Sequence, residues 1–154
     1  MPAVFYFQHT VEMGEIDGQD HVNNIEYLRW MQSAAVEHSA AQGWPGTRYR
    51  EIGAGWVVRR HSIDYVQPAF LGDVIVVQTW VSEFKRISSR RKYRVVRPRD
   101  ETVLAVAETN WAFISRDNRQ PRRIPPELAV AFQVVSIDDE PEPFAADGDS
   151  RASE

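Results

Sequence analysis

Only one stretch of this sequence can support a long helix, and that restricts the folds open to it. From about Asn24 to Gln42 the chain runs without proline or glycine and is full of good helix formers. Within it Ile25, Tyr27, Leu28, Trp30, Met31, Ala34 and Ala35 form a stripe too broad for a helix that meets a core along one narrow seam. A helix embraced by a curved sheet carries such a stripe. Gly43 and Pro45 follow in the order that ends helices, glycine at the exit and proline shortly after.

The segments around this helix have strand composition. Val4 to Glu12 is rich in aromatic and β-branched residues and reads as a first strand. Four more follow a loop that runs through Gly55: Trp56–Val66, Val74–Phe84, Ser88–Arg97 and Thr102–Ile114. Pro68 and Gly72, the polar group around Lys85, and Pro98 with Asp100 mark the breaks between them. The last three strands are expected to form an antiparallel meander, and Ile124–Phe132 a short helix opened by proline.

Strand, long helix and four strands together predict an α+β domain, with the helix on one face of a five-stranded, mostly antiparallel sheet. The domain is expected over residues 1–133. Residues 134–154 are acidic, contain proline and hold few large apolar side chains, the composition of a disordered tail. Open sheet edges seek partners, so at least a homodimer is expected.

Composition removes several classes of function. The 154 residues include no cysteine, which excludes disulfides, thiolate nucleophiles and cysteine metal sites. A net charge of −4 argues against general nucleic-acid binding, although a basic run from Lys85 to Arg99 leaves a local anion site open. No apolar run approaches the roughly 18–20 residues of a membrane span. The N-terminus lacks the basic start and apolar stretch of a signal peptide, so a cytoplasmic location and no membrane partner are expected. No histidine and acid grouping has metal-ligand spacing, and no metal or other cofactor is expected.

Ahead of the helix, Asp17, Gln19, Asp20, His21, Asn23 and Asn24 crowd into one short loop. These residue types suit helix capping, so taken alone the cluster reads as a cap. Three blocks change that weighting. D-x-x-x-H-V-N-N-x-x-Y-L-R-W-M at Asp17–Met31, I-D-Y-V-Q-P-A-F-L-G-D at Ile63–Asp73 and R-R-I-P at Arg122–Pro125 resemble the hot-dog-fold thioesterases of the 4-hydroxybenzoyl-CoA thioesterase type. The likeness covers about residues 4–132.

The resemblance implies a sheet wrapped around a central helix, a dimer that joins two sheets edge to edge, and often a tetramer. It also implies hydrolysis of acyl thioesters of coenzyme A or of acyl carrier protein at sites between subunits. The family's catalytic carboxylate matches Asp17, and the backbone amide that polarises the thioester carbonyl matches Asn24. In the plant-type acyl carrier protein thioesterases the acid, amide and histidine match Asp17, Gln19 and His21. Here Gln19 stands in place of the usual asparagine, and Asp20 stands where many relatives carry glycine just before H-V-N-N.

Thioester hydrolysis needs a group that attacks or activates water, and donors where negative charge develops. A loop carboxylate beside the free N–H groups of a helix start supplies both. Asp17 is therefore read as nucleophile or general base, and His21 as an orienting group or proton shuttle. Asn24 is read as cap and oxyanion donor. Lys85 and Arg86 match the family position for the coenzyme A phosphates, and Arg90 and Arg91 extend the patch, with strand alternation placing them on opposite faces. Gln19 is assigned to substrate binding, and Tyr27, Leu28 and Met31 to the acyl pocket. Glu37 and His61 are read as structural or solvent-facing. Two other functions stay open beside an acyl-CoA thioesterase: an acyl carrier protein thioesterase and a non-catalytic acyl-CoA binding module.

Overall fold

The computed structural model describes residues 3–144. Five strands form one sheet: β1 (Val4–Thr10), β2 (Ala54–Tyr65), β3 (Val74–Phe84), β4 (Ser88–Arg97) and β5 (Thr102–Ser115). Their order is β1-β3-β4-β5-β2, with every neighbouring pair antiparallel. The expected meander is β3-β4-β5, and β1 and β2 are the two edges. The long helix α1 (Asn24–Ala41) lies on one face, in the α+β hot-dog arrangement. Among the described residues no helix is long and apolar enough to cross a membrane.

The broad stripe on α1 does what its width implies. Tyr27, Trp30, Met31, Ala34 and Ala35 are buried against Ile75 and Val77 of β3, Tyr93 and Val95 of β4, and Leu104 and Ala105 of β5. Ile25 departs from the stripe and is 56% exposed, because two positions before Tyr27 the helical turn places it on the opposite face of α1, while His38 joins the buried set near the other end. The helix closes as its sequence predicts. Gly43 has φ +90°, its N–H donates to the Ala40 carbonyl, and the Trp44 N–H donates back to the Ser39 carbonyl at 2.8 Å.

Three segments differ from the sequence reading. β1 stops at Thr10 rather than Glu12: the Val11 N–H still reaches the Asp73 carbonyl opposite it, but the Val11 carbonyl accepts from Gly72 in the loop before β3, and the ladder ends there. Within the stretch read as loop, Gly46–Glu51 forms a short helix, α2, which buries Tyr49. With α3 (Pro126–Ala131) it encloses a second apolar cluster of Trp44, Tyr49, Val81, Phe113, Leu128 and Phe132.

The third is the expected disordered tail. The Val135 N–H donates to the Val81 carbonyl, residues 140–143 lie against the outer face of the sheet, and 145–154 lie outside the described residues. The Lys92 ammonium meets Glu140 at 2.6 Å, Arg94 donates to the Pro141 carbonyl, and Gln78 donates to the Pro143 carbonyl. This covering explains why consecutive residues from Val77 to Val81 are all buried, when alternation would leave every second one exposed.

Replacing Gly43 by alanine forces a side chain into the left-handed region while leaving the space around it open. The expected cost is about 1 kcal/mol, read as a lower urea midpoint with an unchanged slope.

Candidate active site

The loop ahead of α1 is closed by its own backbone. The Asp17 N–H donates to the His21 carbonyl at 2.9 Å, the Asp20 N–H donates to the Asp17 carbonyl at 3.2 Å, and Ile16 and Val22 form a bridge below them. Asp20 takes φ +67° in this turn. That is the region glycine favours, and aspartate is among the few other residues that tolerate it, which accounts for the glycine-to-aspartate departure at this position.

Asp17 uses one carboxylate oxygen, Oδ1, to accept the Gln19 N–H at 2.8 Å. The same oxygen lies 3.8 Å from His21 Nδ1, beyond hydrogen-bonding distance. Both side chains are partly exposed. The Gln19 side chain projects to solvent and makes no hydrogen bond among the described residues, so its anchoring role is carried by its backbone.

Asn23 is the cap. Its Oδ1 accepts the Ile25 N–H at 3.0 Å and its carbonyl accepts the Glu26 N–H. Asn24, the first residue of the helix, keeps an N–H with no acceptor among the described residues, and its carbonyl receives the Tyr65 hydroxyl. A partial positive charge at a helix start, next to a loop carboxylate, is what an acyl thioester carbonyl requires.

Two supports under this loop were not legible as site residues. Glu15 accepts hydrogen bonds from His9 Nε2, Trp30 Nε1 and the Glu12 N–H, while its carbonyl receives the Asn23 N–H. Burial pushes the Glu15 carboxyl up, and those hydrogen bonds, with the nearby His9, outweigh it and hold the group below its ordinary value. The second support is the 66–73 loop. Its Ala69 carbonyl accepts the Val22 N–H and its Phe70 ring meets His21 edge-on at 6.5 Å.

The 66–73 loop is itself held by Asp73, whose Oδ2 accepts the Phe70 N–H at 2.9 Å and Arg97 Nη1 at 2.8 Å. Arg97 also donates to both oxygens of Asp100. Glu15 is masked by the polar composition of its loop. Asp73 stands within the I-D-Y-V-Q-P-A-F-L-G-D block, which was a signal that it mattered but not of what it binds.

The remaining predicted residues divide between two ends and two faces. Tyr27 is buried between Trp30 and Tyr65. Lys85 and Arg86 lie at the β3–β4 turn, the whole of β3 away from the Asp17 loop, or roughly 30 Å at the usual strand rise. One chain therefore does not bring them together. Arg90 lies on the outer face between Glu83 and Glu108, 3.4 Å from each. Arg91 does not extend an exposed patch: it is buried on the inner face, where Nη1 donates to His38 Nδ1 and to Thr79 Oγ1.

A family model described as the thioesterase-like superfamily matches residues 11–132, which takes in the loop, α1 and the whole sheet. The chain belongs to that superfamily. It is a thioester hydrolase of the hot-dog fold. Among its relatives, the acyl-CoA thioesterase YbgC of Haemophilus influenzae is 27% identical over 129 residues, 83% of this chain and 93% of that protein. A chloroplastic palmitoyl-acyl carrier protein thioesterase of Gossypium hirsutum is 27% identical over 145 residues, 90% of this chain but 35% of that longer protein. In fold, the chain is similar to the 1,4-dihydroxy-2-naphthoyl-CoA thioesterase of Synechocystis, with a TM-score of 0.77 at 19% identity over 83% of this chain and 94% of that one.

The Arg97 guanidinium, with the Thr102 hydroxyl, holds the Asp100 carboxyl down at about 2 against an ordinary 3.8. A depressed native value contributes stability above the unfolded value and loses it as pH falls through the native one. The Tm of Asp100→Asn is expected to fall below that of the native protein at pH 7, with the gap closing between about pH 4 and pH 2. Thermal melts across that range check it.

Proposed function

We propose that this superfamily member is an acyl-CoA thioesterase, with Asp17 as nucleophile or general base and the Asn24 N–H as the oxyanion donor. The observation that carries the reading is the pairing of a loop carboxylate, held through Oδ1, with an unclaimed N–H at the start of α1. As nucleophile, Asp17 attacks the thioester carbonyl carbon, the C–S bond breaks, the thiolate leaves and is protonated, and water then cleaves the mixed anhydride. As base, Asp17 takes a proton from the water that attacks the same carbon. In both routes charge on the carbonyl oxygen peaks where the helix start can meet it. His21, beside Asp17 and Phe70, orients substrate or moves a proton.

A second copy completes the site. β2 has β5 on one side and an unpaired edge on the other. Two β2 strands joined antiparallel about a two-fold axis bring the Tyr65 end of one copy to the Ala54 end of the other. Tyr65 binds the start of α1, and Ala54 pairs with Ser115, close in the sheet to the Lys85–Arg86 turn. The dimer thus sets the Asp17 loop of one chain near the basic turn of its partner, where guanidinium and ammonium groups suit coenzyme A phosphates. The same turn fits the acidic surface of an acyl carrier protein, and the likeness to the palmitoyl-acyl carrier protein thioesterase favours keeping that carrier as the second reading.

The test is thiol release from acyl-CoA and acyl-[acyl carrier protein] esters by the native protein and by Asp17→Asn. The chain has no cysteine, so it adds no thiol background. A fall in kcat of about a hundredfold or more is expected in the variant. Undiminished release would move the acid elsewhere in the loop, and release from neither carrier would favour a binding module.

A further inference from the structure

Between the second half of α1, α2 and the inner face of the sheet lies a cavity of about 240 Å³, a separate place in the fold from the Asp17 loop of the same chain. At about 30 Å³ for each small group, it has room for roughly eight non-hydrogen atoms. Its walls are mostly aromatic and apolar: Trp44, Trp56, Trp111, Phe84 and Phe132, with Val81. Val36 and Gly46, both exposed, stand at its mouth.

One charged group lines this apolar space. Arg91 is 6% exposed, and its hydrogen bonds run from Nη1 alone, to His38 Nδ1 at 2.9 Å and Thr79 Oγ1 at 3.1 Å. Because a guanidinium can only donate, the imidazole must accept at Nδ1, so neither partner supplies negative charge. No carboxylate of the described residues pairs with Arg91, and its Nε and Nη2 donate to none of them. The hydroxyl side chains of the wall are engaged. Ser39 bonds the Trp44 carbonyl and the Tyr49 hydroxyl, Tyr49 also receives Trp56 Nε1, and Ser89 donates to the Glu83 carbonyl.

A buried cation without a counter-ion is costly, and burial accordingly pushes the Arg91 guanidinium down from its ordinary value. The cost falls if an anion shares the site, and a guanidinium fork matches a carboxylate. The aromatic walls exclude a small hydrated anion and accept an alkyl or aryl body. We infer that this cavity binds an apolar carboxylate whose carbon body is about eight atoms long, with Arg91 receiving the carboxylate oxygens and the aromatic walls the body. The carboxylate has two chemical sources, the released acid product or the far end of a dicarboxylyl thioester. The second rests on the thioesterase reading above; binding itself does not.

The first experiment needs no turnover. Octanoate, octan-1-ol and octylammonium are titrated into the native protein and followed by calorimetry and by the fluorescence of the tryptophans that line the cavity. Octanoate is expected to bind at least tenfold more tightly than the alcohol, and the ammonium not to bind. Arg91→Gln is expected to lose the preference and Arg91→Lys to keep part of it, with circular dichroism checking the fold. If Arg91→Gln does not fold, the ligand series on the native protein decides. Asp17→Asn is expected to bind octanoate as the native protein does, which separates this site from the catalytic reading.

Thiol release then distinguishes the sources. A suberoyl-CoA kcat/KM tenfold above that of octanoyl-CoA, lost in Arg91→Gln, assigns the carboxylate to the acyl group. Equal rates with inhibition by octanoate assign it to the product. An alcohol that binds as well as octanoate, a preference that survives in Arg91→Gln, or no binding of octanoate overturns the inference.

Discussion

The pair formed by Arg97 and Asp73 is the constraint on which the arrangement at the helix start depends. Both side chains are almost fully buried, and each has a further ionic partner, Asp100 for Arg97 and Arg99 for Asp73, so the pair is the centre of a small charge network. The pair joins the end of β4 to the loop that enters β3. Through Asp73 it sets the Phe70 N–H, through Arg97 it holds the Pro68 carbonyl, and between them Ala69 presents its carbonyl to Val22. The Asp17 loop is therefore pinned from below by a buried charge pair that it does not itself contact.

Asp17 and its turn sit on two further supports of different kind. Glu15 gathers donors from β1, from α1 and from its own turn, so three elements share one carboxylate. Asn23 closes the helix start above it. The Asp17 carboxylate is thus placed by backbone bonds and buried polar groups, while its own side chain keeps access to solvent.

Much of this was legible from residue order. The uninterrupted run to Gln42, the wide stripe and the Gly43 exit mark α1, because helix propensity, burial and capping all act within a few residues of one another. Strand composition located all five strands to within two residues at each end. The loop blocks pointed to the superfamily, which the family match over residues 11–132 shows. What stayed hidden depends on distant pairing. Nothing near Arg91 in the chain says that it will face His38 and Thr79, since alternation assigns it a face but not a neighbour. Ile25 looked like core by type and is exposed by position. The 134–144 segment has the composition of a solvated chain, and its placement comes from Gln78, Lys92 and Arg94, which precede it by dozens of residues.

That segment has a consequence for how copies of the chain can stack. Beneath it lie the Trp80 indole, 2% exposed, and the Arg94 guanidinium 5.5 Å above its ring. A chain that shields this surface with its own strap presents the strap, with its acidic Glu140 and Glu142, to any sheet arriving face to face. Removing residues 134–154 would bare an aromatic ring and two cations at once. The C-terminal segment therefore stands between this outer face and anything that approaches it.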